Sequence, residues 1–161
     1  MRKDMGKILK QRLKQKKFKN IETEAILNLF VACNYLRGKI EIVCNEQHIT
    51  HSQFNVLRIL KGVQPDGYAR YEIISRMVEP APDVTRLIDR LIREGLVERY
   101  YSDEDRRLSC TRITKKGVAL LKKVNPKVEK FIQEYSGVLT KTEKVKLSAI
   151  CEKLYKSELE K

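Results

Sequence analysis

The chain has 161 residues, enough to bury a hydrophobic core without help from disulfides or a structural metal. Its 34 lysines and arginines outnumber 21 aspartates and glutamates, and a net charge of +13 attracts polyanions such as nucleic acid. Four cysteines without a close C-x-x-C pair argue against a secreted disulfide framework and for the cytoplasm, and no apolar stretch approaches the roughly 18 residues of a membrane span.

The first twenty residues are strongly basic. They hold nine lysines or arginines and one aspartate, beside a thin apolar stripe of Ile8, Leu9, Leu13 and Phe18. We predict a basic N-terminal arm or a frayed helix over residues 1–20. Such an arm either lies against phosphate groups or is a solvated tail.

Two amphipathic helices follow the arm. From Ile21 to about Glu46, apolar residues recur at spacings of three and four, as in a helix with one covered face. These residues are Ile26, Leu29, Phe30, Cys33, Leu36, Ile40 and Val43. A second helix opens at Thr50, where Gln53 completes a capping-box pattern, and ends at Gly62.

A short helix and a longer one come next. Residues 68–78 predict an extended entry and a short helix, which Pro80 and Pro82 must break. Pro82 suits the first turn of the next helix, which we place at about residues 82–94. Polar residues surround a single apolar stripe on that helix, formed by Val84, Leu87, Ile88, Leu91 and Ile92.

A charged hairpin follows. Residues 96–101 alternate as a strand and are answered by residues 108–113. In the tip between them, we expect Asp105 to hold one of Arg106 and Arg107, which leaves the other for a minor groove or a phosphate. The alternative is a tip that only rigidifies its own turn.

Two helices complete the chain. Thr114 starts a long helix that Gly137 ends and that we expect to bend near Pro126. Thr140 and Glu143 form a second capping-box pattern at the start of the terminal helix. The predicted fold is mainly α with a small β-hairpin.

This order of elements is typical of proteins that bind duplex DNA. The major groove admits a helix and displays a distinct pattern of donors and acceptors for each base pair. The outward residues of the 82–94 helix are therefore candidate DNA contacts: Pro82, Asp83, Thr85, Arg86 and Arg90. The alternative is a solvated helix face on which Asp89 and Arg93 pair at i, i+4.

Three stretches also keep a specific order and spacing. They are DVTRLIDRLIREGLVER at 83–99, DRR at 105–107 and ITKKG at 113–117. In these stretches the chain resembles the multiple-antibiotic-resistance regulator (MarR) family. The resemblance covers roughly residues 21–158, with the sharp motif at about 53–121. The chain departs from the family at Ala69, where a Ser or Thr commonly caps the short helix, and at Pro80 and Pro82, which crowd the turn.

The resemblance implies a transcriptional regulator, usually a repressor, with a winged helix-turn-helix fold. It implies an intertwined helical homodimer that binds a palindromic operator in double-stranded DNA, and a small ligand or oxidant that weakens this binding. Thr85, Arg86 and Arg90 then belong to the recognition helix, and Arg106 and Arg107 to the wing.

The domain organisation follows from the same elements. We place the winged helix-turn-helix lobe at residues 50–113 and the helical dimerisation region at 21–49 and 114–161. The helices of that region hold more apolar surface than one small lobe covers, so a second copy is the expected cover.

Cysteine and histidine side chains near the end of the first long helix raise two further hypotheses. Cys44, His48 and His51 are of the types that bind zinc, although a buried Cys44 and two surface or capping histidines are the simpler interpretation. Cys33 and Cys44 are candidate oxidant sensors, which requires an exposed thiol of depressed pKa. Cys33 lies on the apolar stripe, where we expect core packing.

The chain lacks the motifs of common enzymes. It has no G-x-S-x-G, no phosphate-binding glycine loop and no H-E-x-x-H, so we expect neither catalysis nor a cofactor. The alternative to a DNA-binding regulator is a basic helical module that binds proteins or RNA without operator specificity.

Overall fold

The computed structural model of the chain describes residues 6–79, 81–101 and 109–159. Within these ranges it has seven helices and three short strands, which confirms the mainly helical prediction. The chain divides into two compact units, one up to His51 and one from Ser52 onward. None of the described helices combines the length and apolarity needed to cross a membrane.

The first unit holds two helices. Helix α1 (Lys7–Leu13) lies inside the predicted basic arm, and its Leu9 is buried. Helix α2 (Ile21–Asn45) matches the predicted helix. The side chain of Asn20 caps α2 by accepting a hydrogen bond of 2.9 Å from the backbone N–H of Thr23.

Much of the apolar stripe of α2 is uncovered in the single chain. Ile26, Phe30 and Leu36 of the stripe are exposed, as is Ile42 outside it, whereas Cys44 near the end of the helix is fully buried. Cys33 is also exposed, so its predicted packing in a core is wrong for the single chain. The periodicity predicts an apolar face, but a face can be apolar without being covered by its own chain.

Helix α3 (His51–Gly62) begins and ends close to the predicted positions. The backbone N–H of His51 donates a 2.8 Å hydrogen bond to Oε2 of Glu41 on α2, which satisfies one of the free donors at the start of α3. Its buried face is formed by Gln53, Phe54, Val56, Leu57 and Leu60.

Strand β1 (Tyr68–Ala69) leads into helix α4 (Arg70–Arg76), which is the first helix of the helix-turn-helix in the second unit. The backbone N–H of Ala69 donates to Oε2 of Glu72 at 3.0 Å. Because an alanine side chain accepts no hydrogen bond, only this half of a capping box is present.

Helix α5 (Val84–Arg93) is two residues shorter at its start than predicted. Asp83 takes the N-cap position with φ −142°, and its Oδ1 accepts a 3.0 Å hydrogen bond from the N–H of Arg86. Pro82 therefore precedes the helix, and its predicted place in the first turn is wrong. The carboxylate of Asp83 is a better cap than proline because proline offers no side-chain acceptor.

The predicted hairpin is part of a three-stranded antiparallel sheet. Strands β2 (Val97–Tyr101) and β3 (Ser109–Ile113) pair in a register that places Val97 opposite Ile113 and Tyr101 opposite Ser109. Strand β1 pairs with the other edge of β3, so the order is β1-β3-β2. The hairpin tip, with Asp105, Arg106 and Arg107, lies outside the described residues.

Two long helices complete the second unit. Helix α6 (Lys115–Ser136) is capped by the Thr114 side chain and continues through Pro126. Helix α7 (Lys141–Leu159) opens with the predicted capping box, since the N–H of Thr140 donates to Oε2 of Glu143 at 2.8 Å and the N–H of Glu143 donates back to Oγ1 of Thr140 at 3.3 Å. The hydrogen bonds that the backbone N–H and the hydroxyl of Thr140 donate to the carboxylate of Glu143 lower the pKa of that carboxyl group.

Candidate nucleic-acid interface

Helix α5 separates its two faces as the sequence predicts. Val84, Ile88 and Leu91 are buried, and Thr85, Arg86 and Arg90 are exposed. At 3.6 residues per turn, these three polar positions lie within one half of the helix circumference. The structure therefore gathers the predicted contacts of α5 on one accessible surface.

Asp83 and Arg86 form an ion pair at the start of α5. Nε of Arg86 lies 3.0 Å from Oδ2 of Asp83, and 89% of the Arg86 side chain is exposed. Asp83 thus has a structural role as cap and ion-pair partner. The charge of Arg86 is partly compensated in the free protein.

A hydrogen bond links the first residue of α4 to the exposed face of α5. Nη1 of Arg70 donates to Oγ1 of Thr85 at 2.8 Å. The sequence did not mark Arg70 as a site residue, because the two residues are 15 positions apart and no local pattern connects them. The signal was available only through the predicted helix-turn-helix, which brings the starts of its two helices together.

Asp89 bonds to the sheet instead of to its own helix. Nη2 of Arg99 on β2 lies 2.9 Å from Oδ1 of Asp89, so the i, i+4 partnership of Asp89 with Arg93 is not the one observed. Strand β2, which follows α5 in the chain, supplies the guanidinium of Arg99 as the partner of Asp89. This bond ties α5 to strand β2.

A second arginine, Arg112, links strands β2 and β3. Nε of Arg112 on β3 lies 2.7 Å from Oε1 of Glu98 on β2, and its guanidinium carbon lies 4.9 Å from the ring centroid of Tyr100. Cross-strand pairs of this kind stabilise a hairpin modestly. They hold β2 and β3 together in the described stem of the wing.

A recess of about 240 Å³ opens between these elements. It is lined by Arg70, Thr85, Ile88, Arg99, Ser109 and Thr111. Guanidinium and hydroxyl groups are the donors that bind phosphate oxygens in protein–DNA interfaces. The chemistry of the recess therefore fits the edge of a DNA-binding surface.

The metal and redox candidates lie in the first unit. Among residues 6–79, 81–101 and 109–159, no group of three or more His, Cys, Asp or Glu residues is arranged to hold a metal ion. Cys44 is fully buried, and burial together with the charge of Glu41 raises its pKa to about 12. Since the thiolate is the reactive form, this environment disfavours oxidation of Cys44. His51 contributes its backbone N–H to the α3 cap, and His48 has a positive φ of 58° in the preceding turn.

Comparisons with known proteins locate the same region. The sequence profile of the MarR family matches residues 49–109. The transcriptional repressor MprA of Escherichia coli K12 is 30% identical over 126 residues, which are 76% of this chain and 72% of MprA. A MarR transcription factor from Planctomyces limnophilus with a known crystal structure is 33% identical to this chain, with a TM-score of 0.64. The match covers 84% of this chain and 98% of the Planctomyces chain. The S. aureus MepR–DNA complex has the same fold, with 21% identity and a TM-score of 0.74 over 88% of this chain and 99% of its own.

The matched residues run from just before α3 into β3, and so include the helix-turn-helix and most of the sheet. The relatives are described as transcriptional regulators. With 30% identity to a repressor of which it covers 72%, the chain belongs to the MarR family of winged-helix transcriptional regulators.

Proposed function

We propose that this protein is a homodimeric transcriptional regulator that inserts α5 into the major groove of double-stranded DNA. The observation that carries the proposal is the exposed face of α5. Thr85, Arg86 and Arg90 lie on this face, and Asp83 caps the start of the helix. A helix of this diameter fits the major groove, and arginine is the commonest side chain to bind guanine there.

The wing supplies the second part of the proposed interface. We propose that Arg106 and Arg107, which follow β2 in the sequence, form its tip. The described stem is held beside α5 through Arg99 and Asp89. We propose that one arginine of the tip binds a phosphate or enters the adjacent minor groove. Pro82 and Asp83 contribute to the surface mainly by setting where α5 begins.

A second copy of the chain is the proposed cover for the exposed apolar helices. Along α7 alone, Val145, Leu147, Ile150, Leu154 and Tyr155 are exposed. Large apolar patches of this kind mark interaction surfaces, and two-fold dimers are the commonest solution. We propose residues 21–49 and 114–161 as the dimerisation region, with residues 50–113 as the DNA-binding lobe.

The dimer sets the form of the DNA target. Two α5 helices related by a two-fold axis address half-sites about 34 Å apart, roughly one turn of the duplex, and therefore prefer a palindrome. Repression is the proposed outcome of binding, as in the relative named a transcriptional repressor. Because the proposed operator is part of the chromosome, we propose that the protein is cytoplasmic. We also propose that a small ligand or an oxidant modulates its affinity for DNA.

A competition assay tests the proposal against an RNA-binding or protein-binding module. Labelled duplex selected by the protein from a randomised DNA library is displaced with unlabelled duplex or with RNA of equal length. We expect the selected duplex to be palindromic and to outcompete RNA, and Arg90→Ala to lose most of the affinity because it removes a charge from α5. RNA that competes equally well, or a selected pool without a palindrome, contradicts the proposed function.

A further inference from the structure

The hydrogen bond between Arg70 and Thr85 defines what Thr85 can do at the DNA surface. A guanidinium carries only donors, so the 2.8 Å contact from Nη1 of Arg70 must occupy a lone pair of the Thr85 hydroxyl. A hydroxyl has one proton to donate and two lone pairs to accept with. The proton of Thr85 is consequently directed away from Arg70.

The position of Thr85 in its helix leaves that proton available. A threonine inside a helix often donates to the carbonyl four residues earlier. For Thr85 that residue is Ala81, which precedes the N-cap Asp83 and so lies outside α5. The hydroxyl thus lacks the usual intrahelical acceptor at a point where the side chain is exposed.

The neighbouring arginines have different partners. Arg86 binds the carboxylate of Asp83 and Arg99 binds the carboxylate of Asp89, whereas Arg70 binds the neutral hydroxyl of Thr85. An arginine that bonds a neutral hydroxyl keeps its full positive charge beside it. That charge strengthens the hydroxyl as a donor and weakens its remaining lone pair as an acceptor.

We infer that Arg70 is a specificity-determining residue that acts through Thr85, by biasing the Thr85 hydroxyl towards donating a hydrogen bond to an acceptor on the base edge. In the major groove the acceptors are purine N7, guanine O6 and thymine O4, whereas cytosine presents only the N4 donor. Thr85 held in this way discriminates against cytosine at the base that it contacts. The inference rests on the proposed function, because it requires α5 to lie in the major groove.

Three variants test the inference on the duplex that the wild-type protein selects from a randomised library. Thr85→Val removes the hydroxyl with little change in shape, and the base position at which it flattens the sequence preference is the position that Thr85 contacts. Arg70→Met keeps the aliphatic stem but removes the donor and its charge, so both lone pairs of the hydroxyl can accept from cytosine N4 without competition. Arg58→Ala on α3 removes one exposed charge from the same unit and serves as the control.

Affinities are measured for duplexes carrying each of the four bases at every position of one half-site. We expect Arg70→Met to raise the relative affinity for cytosine about five- to tenfold at the Thr85 position and nowhere else. The double variant should show the profile of Thr85→Val alone, because Arg70 acts through the hydroxyl. Arg58→Ala should leave the profile unchanged. Far-UV circular dichroism and the melting temperature confirm that each variant is folded.

Two results overturn the inference. One is a uniform loss of affinity in Arg70→Met with an unaltered base profile, which would make Arg70 a simple phosphate contact. The other is a Thr85→Val variant that flattens no position. In both cases selection of a palindromic duplex by the wild type leaves the proposed function standing, whereas failure of the wild type to select duplex DNA removes the proposed function itself.

Discussion

Asp83 shows how one residue can serve both the fold and the proposed interface. Its carboxylate caps α5 through the N–H of Arg86 and also pairs with the Arg86 guanidinium. The first role needs an acceptor oxygen, and the second needs a negative charge. The two roles can therefore be separated by substitution.

Asp83→Asn should keep the cap, since asparagine and aspartate are equally good at the N-cap position. We expect its free energy of unfolding in urea to stay within about 0.5 kcal/mol of the wild type. Its affinity for non-specific duplex DNA should rise, because a negative charge is removed and Arg86 is released. Asp83→Ala should instead lose about 1 kcal/mol of stability. Equal stability of the two variants would contradict the capping role.

At the residue scale, the sequence predicted which side chains are exposed better than it predicted which side chains bond to each other. It placed Thr85, Arg86 and Arg90 on an exposed face because helical periodicity depends only on local spacing. It missed the bonds from Arg70 to Thr85 and from Arg99 to Asp89 because both join elements that meet only in the folded chain.

At the scale of the elements, one close approach joins helix α6 to the sheet. Gly117 lies in the first turn of α6, where an added Cβ would meet the backbone oxygen of Leu96 and lie 2.7 Å from Cγ1 of Ile113. The N–H of Gly117 also donates to the Thr114 cap at 3.1 Å. The start of α6 is therefore fixed against the strands of the wing.

Gly117→Ala should destabilise the protein by about 1–3 kcal/mol, because the clash involves backbone that cannot move without disturbing the sheet. Urea unfolding measures this change. Gly62→Ala at the end of α3 is the matched control, since nothing lies within 4 Å of its added Cβ. That control should be neutral or stabilise by up to about 1 kcal/mol. A stable Gly117→Ala protein would show that this contact does not fix α6.

Element boundaries followed the sequence where a cap or a periodic stripe marks them. The capping box of Thr140 and Glu143 and the stripe of α5 are of this kind. The exceptions arise where another part of the chain decides. Strand β1 has only two residues and exists because β3 pairs with it, and α5 starts after Pro82 because Asp83 caps it.

At the scale of the whole molecule, α2 and α7 carry apolar side chains that the single chain leaves exposed. Phe30 on α2 is 59% exposed and Ile150 on α7 is 57% exposed. The sequence indicated that these faces are apolar, but periodicity alone does not say which copy of the chain covers them. Their exposure in the single chain supports the proposed dimer.

Ile150→Glu combined with Leu154→Glu should convert the dimer into monomers, because two charges would be buried in the proposed interface. Sedimentation equilibrium measures the change. Glu152→Lys is the control, since the exposed residue 152 lies on the opposite side of α7 from residues 150 and 154. We expect the monomeric variant to lose most of its operator affinity while keeping its helical content. A wild-type protein that is already monomeric would contradict the proposed assembly.

Insertion of α5 into the major groove is the central proposal, and methylation interference tests it most directly. Guanine N7 lies in the major groove and adenine N3 in the minor groove. In the duplex that the protein selects, we expect N7 methylation to block binding in two half-sites about one helical turn apart, with Arg90→Ala insensitive at one guanine in each. Interference confined to adenine N3, or absent from both half-sites, would contradict the account.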